Sequence, residues 1–229
     1  MDSRILVALD VPTAEDAVRL ARDLSPHVAG FKIGLGLLYG PGPATVAALA
    51  EVGKPVFADA KLHDIPSQVE RAARRLAALG ARWITAHASG GVDMLAAAVS
   101  GAASAGTGSG ILAVTVLTSL DGADVERLAP GSTPGKLTSR LAKSALAGDC
   151  EGVICSAREL GVIAQVGPDL LKVTPGIRPA GTEVGDQERT MTPAEAVERG
   201  ADYLVIGRPI TEAADPVAAA TDINRAVES

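Results

Sequence analysis

Asp59, Lys61 and Asp64 place three formal charges within six residues, directly after the apolar run Pro55-Val56-Phe57-Ala58. Residues at i and i+2 of a strand point to one face, so Asp59 and Lys61 are expected side by side at the end of a buried strand. Unlike charges there cost desolvation unless they are paired. A lysine beside two carboxylates can move a proton or stabilise a developing anion. Asp59 and Asp64 with a nearby acid could also hold Mg²⁺, although carboxylates beside lysines need no metal to balance them. His63, inside the segment, and His87 read as structural or supporting groups.

Such a group becomes a site only if a scaffold aims other residues at it. Eight short apolar runs are candidate strands: 5–10, 28–34, 55–59, 83–87, 111–117, 152–155, 170–174 and 203–207. Most are near-continuous rather than alternating, the pattern of strands covered on both faces. Amphipathic stretches separate them. Thr13 is placed to cap a helix over 14–24, and residues 65–79 carry Val69, Ala72, Ala73 and Leu76 on one face with Arg71, Arg74 and Arg75 on the other. Thr192-Pro193 and Asp215-Pro216 read as helix starts, and Gly200 as a stop. Repeated βα units imply a parallel sheet with right-handed crossovers. Eight of them without a shift in composition predict a single α/β domain, a (β/α)8 TIM barrel over residues 1–229.

Composition narrows the partners. A net charge of −6 and 2% aromatic residues leave no basic stripe and almost nothing for bases to stack on, which argues against nucleic acid. No apolar run approaches the roughly 20 residues of a membrane span. The N-terminus enters an apolar strand without the pattern of a signal peptide. Cys150 and Cys155 fit neither a redox pair nor a metal motif, and a reduced cytoplasm is expected. Three stretches read as loops: 101–110, 130–135 and 175–187. The last, rich in Gly and Pro after strand seven, is the candidate mobile loop over the site.

In a parallel barrel the site lies at the C-terminal strand ends. Those ends carry Asp10, Lys32, Asp59 and Lys61, His87, Thr118-Ser119, Cys155-Ser156, Thr174-Pro175-Gly176 and Gly207-Arg208. Gly207-Arg208-Pro209 occupies the usual phosphate position of this fold, with backbone N–H groups and a bidentate guanidinium as donors. A surface Arg after a turn is the alternative. Gln187 could add an amide from the preceding loop. Lys172, inside strand seven, is a candidate Schiff-base lysine of an aldolase.

The segment Asp59-Ala60-Lys61-Leu62-His63-Asp64-Ile65-Pro66 resembles the DxKxxDIP signature of the orotidine 5′-phosphate decarboxylase family. The resemblance continues through Val7-Ala8-Leu9-Asp10, Phe31-Lys32-Ile33-Gly34, His87-Ala88-Ser89-Gly90-Gly91 and Leu117-Thr118-Ser119. It extends to Val153-Ile154-Cys155-Ser156, Thr174-Pro175-Gly176-Ile177-Arg178-Pro179, Asp186-Gln187-Glu188-Arg189 and Val205-Ile206-Gly207-Arg208-Pro209-Ile210-Thr211. The signature alone is shared with a Mg²⁺-dependent keto-gulonate phosphate decarboxylase. The PGIRP…DQ pair and the IGRPIT ending resemble the compact bacterial form of the orotidine enzyme.

That resemblance implies conversion of orotidine 5′-monophosphate to UMP and CO₂, in pyrimidine biosynthesis, without cofactor or metal. It implies Lys61 as proton donor to C6 within a charged network of Lys32, Asp59, Lys61 and Asp64. Asp10 and Lys32 would contact the ribose, Thr118 and Ser119 the base, and Arg178, Gln187, Gly207 and Arg208 the phosphate. Asp64, with Ile65 and Gln68, would reach the nucleotide of a partner subunit, which implies a homodimer. The family commonly has Thr where this chain has Gln68, a longer hydrogen-bonding side chain.

Overall fold

The computed structural model describes residues 3–179 and 191–228. Eight strands alternate with helices: β1 Ile5–Ala8, β2 Gly30–Ile33, β3 Val56–Leu62, β4 Ala81–His87, β5 Gly110–Val114, β6 Gly152–Ile154, β7 Leu171–Thr174 and β8 Tyr203–Ile206. Each pairs in parallel with the next and β8 closes onto β1, so the expected (β/α)8 barrel is what forms.

The near-continuous apolar runs have a direct cause. Alternate residues fill two separate cores. Leu6, Phe57, Trp83, Leu112, Ile154, Val173 and Val205 pack inside the barrel. Ile5, Val7, Phe31, Ile33, Ile84 and Val153 pack between the strands and the helices. Both faces exclude water, so neither can be polar along most of its length.

Several boundaries differ from the sequence expectation. β1, β2, β5 and β8 stop short of their apolar runs, because the following residues leave the ladder to form the mouth. Leu9 still donates to Lys32 O at 2.9 Å and Thr115 to Ile154 O at 3.1 Å. β3 runs on to Leu62 through an irregularity. Ala58 faces Ile84 and Leu62 faces Ala86, so four steps on β3 match two on β4. Lys61 lies in this bulge with φ +51°, a left-handed conformation. Simple alternation therefore does not explain why Asp59 and Lys61 meet; the bulge turns them together.

The helix starts follow local chemistry. Thr13 caps the helix Ala14–Leu24 by accepting from Asp16 N at 3.1 Å. Ile65 stays extended before Pro66, so the next helix is Pro66–Ala78 rather than 65–79. It buries Val69, Ala73, Leu76 and Ala77 and exposes Arg71, Arg74 and Arg75. Its partner, Val92–Ala103, approaches closely at Gly101, where a Cβ would stand 2.2 Å from Glu70 O. The stretch 101–110 thus ends one helix and enters β5. The stretch 130–135 is partly helical, because Thr133 caps a helix Pro134–Ala147. Thr192 forms a capping box with Glu195, and Asp215 accepts from Ala218 N at 2.9 Å at the start of Pro216–Glu228.

Candidate active site

A cavity of about 460 Å³ opens at the C-terminal ends of the strands. Its depth is apolar, made by Ala8, Phe57, Val114, Ile154 and Val205 from the inner face of the barrel. Its wall is charged. Asp10, Lys32, Asp59 and Lys61 line it at the ends of β1, β2 and β3, and Arg178, Gly207 and Arg208 after β7 and β8, together with Thr118. The strand ends that the sequence pointed to converge here, from β1, β2, β3, β7 and β8.

The charges meet as two pairs. Lys61 Nζ lies 2.6 Å from both carboxylate oxygens of Asp59, in a half-sheltered position. Lys32 Nζ lies 3.1 Å from Asp10 Oδ1; the lysine is buried while the aspartate opens to solvent. Gly34 leaves room for the second pair, because a Cβ there would sit 3.1 Å from Lys32 Nζ and 3.3 Å from Asp10 Oδ1. A lysine held against a carboxylate on a half-dry wall can face developing negative charge and yield a proton.

Thr85 was not legible as a site residue. It is fully buried in β4, and its Oγ1 accepts from Lys61 N at 2.8 Å and donates to Asp59 Oδ1 at 2.9 Å. The available signal was a lone hydroxyl inside the apolar run of β4, on the inward register between Trp83 and His87. Glu212, Val116 and Leu117 also line the cavity. Their positions depend on how the mouth loops fold, which no local pattern specified.

His63 and His87 do not line the cavity. Their rings stack at 5.3 Å beside the Lys61 pair. Burial first, and then the neighbouring His63 and Lys61, push the His87 imidazole below the usual histidine value. Lys172 points away from the cavity. Its Nζ donates to Pro168 O at 3.2 Å and Leu170 O at 2.9 Å and pairs with Asp202 at 3.3 Å, at the opposite end of the barrel. The Schiff-base alternative is thereby removed, because no substrate carbonyl at the mouth can reach it.

Other expected residues lie elsewhere. Within one chain Asp64 is exposed and accepts from Ile65 N at 2.6 Å rather than extending the network of Lys32, Asp59 and Lys61. Ile65, Gln68 and Ser119 are exposed and outside the cavity lining. Gln187 lies outside the described residues, as does most of the loop 175–187. Arg178, at its described start, donates through Nη1 to Ile177 O and through its backbone to Met191 O. Among the described residues no group of three or more His, Cys, Asp or Glu side chains is arranged to hold a metal ion. No helix among them is long and apolar enough to cross a membrane.

The chain is similar to known proteins along its whole length. A model described as the orotidine 5′-phosphate decarboxylase / HUMPS family matches residues 3–223. An orotidine 5′-phosphate decarboxylase of Anaeromyxobacter sp. (strain K) is 50% identical over 221 residues, 96% of each chain. One from Pseudoalteromonas translucida is 43% identical over 227 residues, 98% of this chain and 97% of its own. Among solved structures, the orotidine 5′-phosphate decarboxylase of Lactobacillus acidophilus superposes with a TM-score of 0.82 at 36% identity, covering 100% of both chains. That of Pyrococcus horikoshii OT3 gives 0.80 at 27% identity, covering 98% of this chain and 99% of its own.

Proposed function

The chain belongs to the orotidine 5′-phosphate decarboxylase / HUMPS family and is an orotidine 5′-phosphate decarboxylase, and on that premise we propose how its residues divide the reaction. Orotidine 5′-monophosphate loses CO₂ from C6 and becomes UMP. The bond to the carboxylate breaks and its electron pair stays on C6, in the ring plane, where the ring π system cannot spread it. Lys61 faces that carbon, stabilises the pair as an ammonium and transfers a proton to it, then regains a proton from solvent. The observation that carries this reading is Lys61 Nζ held 2.6 Å from Asp59 on the wall of the cavity, beside its apolar depth.

Magnitudes decide how much Lys61 can do. Two unit charges 4 Å apart interact by about 4 kcal/mol at an effective dielectric near 20. Enzymes commonly lower barriers by about 8–23 kcal/mol. The remainder comes from placement, exclusion of water and binding energy drawn from the distant phosphate. Arg178, Gly207 and Arg208 hold that phosphate. Asp10 and Lys32 hold the ribose, and Thr118 lies by the base. Asp59 holds and aims Lys61.

Asp64, Ile65 and Gln68 serve the neighbouring subunit of a homodimer. Their exposure beside the mouth supports this, as do the exposed apolar side chains of Leu35, Tyr39 and Ile65, which follow the adjacent strands β2 and β3. A cytoplasmic location is consistent with two buried free cysteines, whose thiols burial pushes up to about 12. The test is loss of substrate absorbance when orotidine 5′-monophosphate meets protein treated with EDTA. Turnover with and without EDTA supports the reading. No loss of that absorbance, with Mg²⁺-dependent decarboxylation of a keto-gulonate phosphate by the same protein, supports the metal-dependent branch instead.

A further inference from the structure

Thr85 is a hydroxyl in the wrong company. It sits in β4 between Ile84 and Ala86, which pack between the strands and the helices, it is 0% exposed, and it does not line the cavity. A hydroxyl carries one proton and two lone pairs. Thr85 uses one of each on the charged pair: Lys61 N donates to its Oγ1 at 2.8 Å, and Oγ1 donates to Asp59 Oδ1 at 2.9 Å. One atom therefore ties the main chain of Lys61 to the carboxylate that faces the Lys61 ammonium.

The bulge explains why such a tie is needed. The β3–β4 ladder steps from Ala58↔Ile84 to Leu62↔Ala86, so Asp59, Ala60 and Lys61 have no residue-for-residue partner on β4. Lys61 also adopts φ +51°, a conformation that side chains rarely take unless their surroundings over-determine it. The Thr85 hydroxyl supplies a hydrogen-bond partner to the Lys61 amide and, with its proton, fixes which way the Asp59 carboxylate turns.

We propose that Thr85 is a positioning residue for decarboxylation: it holds Lys61 and Asp59 in register so that the ammonium points at the reacting carbon. The proposal rests on Lys61 being the proton donor. A purely structural hydroxyl, satisfying a buried amide and nothing more, would affect stability without a selective effect on turnover.

Thr85→Val keeps the shape and removes both hydrogen bonds, whereas Thr85→Ser keeps both. Each is assayed for kcat, KM, UMP affinity by titration, and Tm, beside Lys61→Ala. Thr85→Val is expected to lower kcat about ten- to a hundredfold, the range for losing a hydrogen bond to a charged group. Its KM and UMP affinity stay within about twofold, and Thr85→Ser recovers most of the lost kcat. If Thr85→Val does not fold, Thr85→Ala takes its place against the same Ser control. Wild-type kcat without the hydroxyl overturns the proposal. So does a Ser variant as slow as the Val one, or UMP binding lost in step with kcat. Should Lys61→Ala still turn over, it is the proton-donor assignment that fails. An inactive Lys61→Ala beside a fully active Thr85→Val sinks the positioning role alone.

Discussion

Lys61 Nζ is within 2.6 Å of both oxygens of Asp59, and the same carboxylate accepts from Thr85. Its hydrogen-bonding capacity is thus directed at the lysine and its support, not at an open region of the cavity. This favours Asp59 as the group that holds Lys61, over a role in repelling the substrate carboxylate, an account of catalysis that is contested in general. Asp59→Asn is therefore expected to lower kcat by about a hundredfold or more, the scale of losing a positioned proton donor, with substrate affinity little changed. Stopped-flow turnover and equilibrium binding separate the two. Much tighter substrate binding with turnover lost would favour ground-state repulsion.

Gly34 tests the second charged pair. Its backbone, φ −99° and ψ −172°, is one that alanine adopts freely, so strain is not at issue. The added Cβ would stand 3.1 Å from Lys32 Nζ and force it to shift by a few tenths of an ångström. Because even a 1 Å misplacement can cost about a hundredfold, Gly34→Ala is expected to raise KM by about three- to tenfold with Tm nearly unchanged. An unaltered KM would show that the Lys32–Asp10 pair does not depend on this fit.

The barrel was readable because apolar runs recur eight times with amphipathic stretches between them, and strands sheathed on both faces leave few other ways to bury them. The charged members of the site were readable for the same reason: Asp10, Lys32, Asp59 and Arg208 stand where apolar runs end. The bulge at Lys61 was not. Alternation gave the right neighbours for an incomplete reason, since register between β3 and β4 depends on a partner strand that local sequence does not display. Thr85 was hidden for a related cause, because its function appears only once the bulge brings the Lys61 amide to it. Asp64 marks a different limit: the contacts expected of it are with a partner subunit, which one chain's pattern does not display.

The homodimer reading makes Asp64 separable from Lys61. Lys61→Ala and Asp64→Ala homodimers are each expected to be inactive. In a two-fold symmetric dimer that completes each site with its neighbour's Asp64, mixing and re-equilibrating the two restores one intact site in each hybrid. Random exchange then returns about a quarter of wild-type activity. Mixtures that stay inactive, although subunit exchange is confirmed by mass, would place Asp64 outside the shared site.

His87 gives a pH dependence with a definite sign. Its folded pKa is lowered from 6.5, by burial first and then by His63 and Lys61, against an opposing pull from Asp59. Protonation thus favours the unfolded chain, which binds more protons below the ordinary value. The stabilisation is fully present above pH 6.5 and is lost as pH falls from there through the folded value. Thermal melts between roughly pH 7.5 and 5.5 are expected to show a falling Tm, and His87→Gln a flatter profile. Identical slopes for the two proteins would remove His87 from the account.

The assignment on which the rest depends is Lys61 as the group that stabilises and protonates C6. Its most direct test is the single-turnover rate of Lys61→Ala on orotidine 5′-monophosphate, measured with UMP affinity in the same preparation. The geometry predicts a loss of at least about ten-thousandfold in decarboxylation with UMP still bound, because the apolar depth and the phosphate anchors remain. Turnover within about tenfold of the wild-type rate, in folded protein that binds UMP, would contradict it.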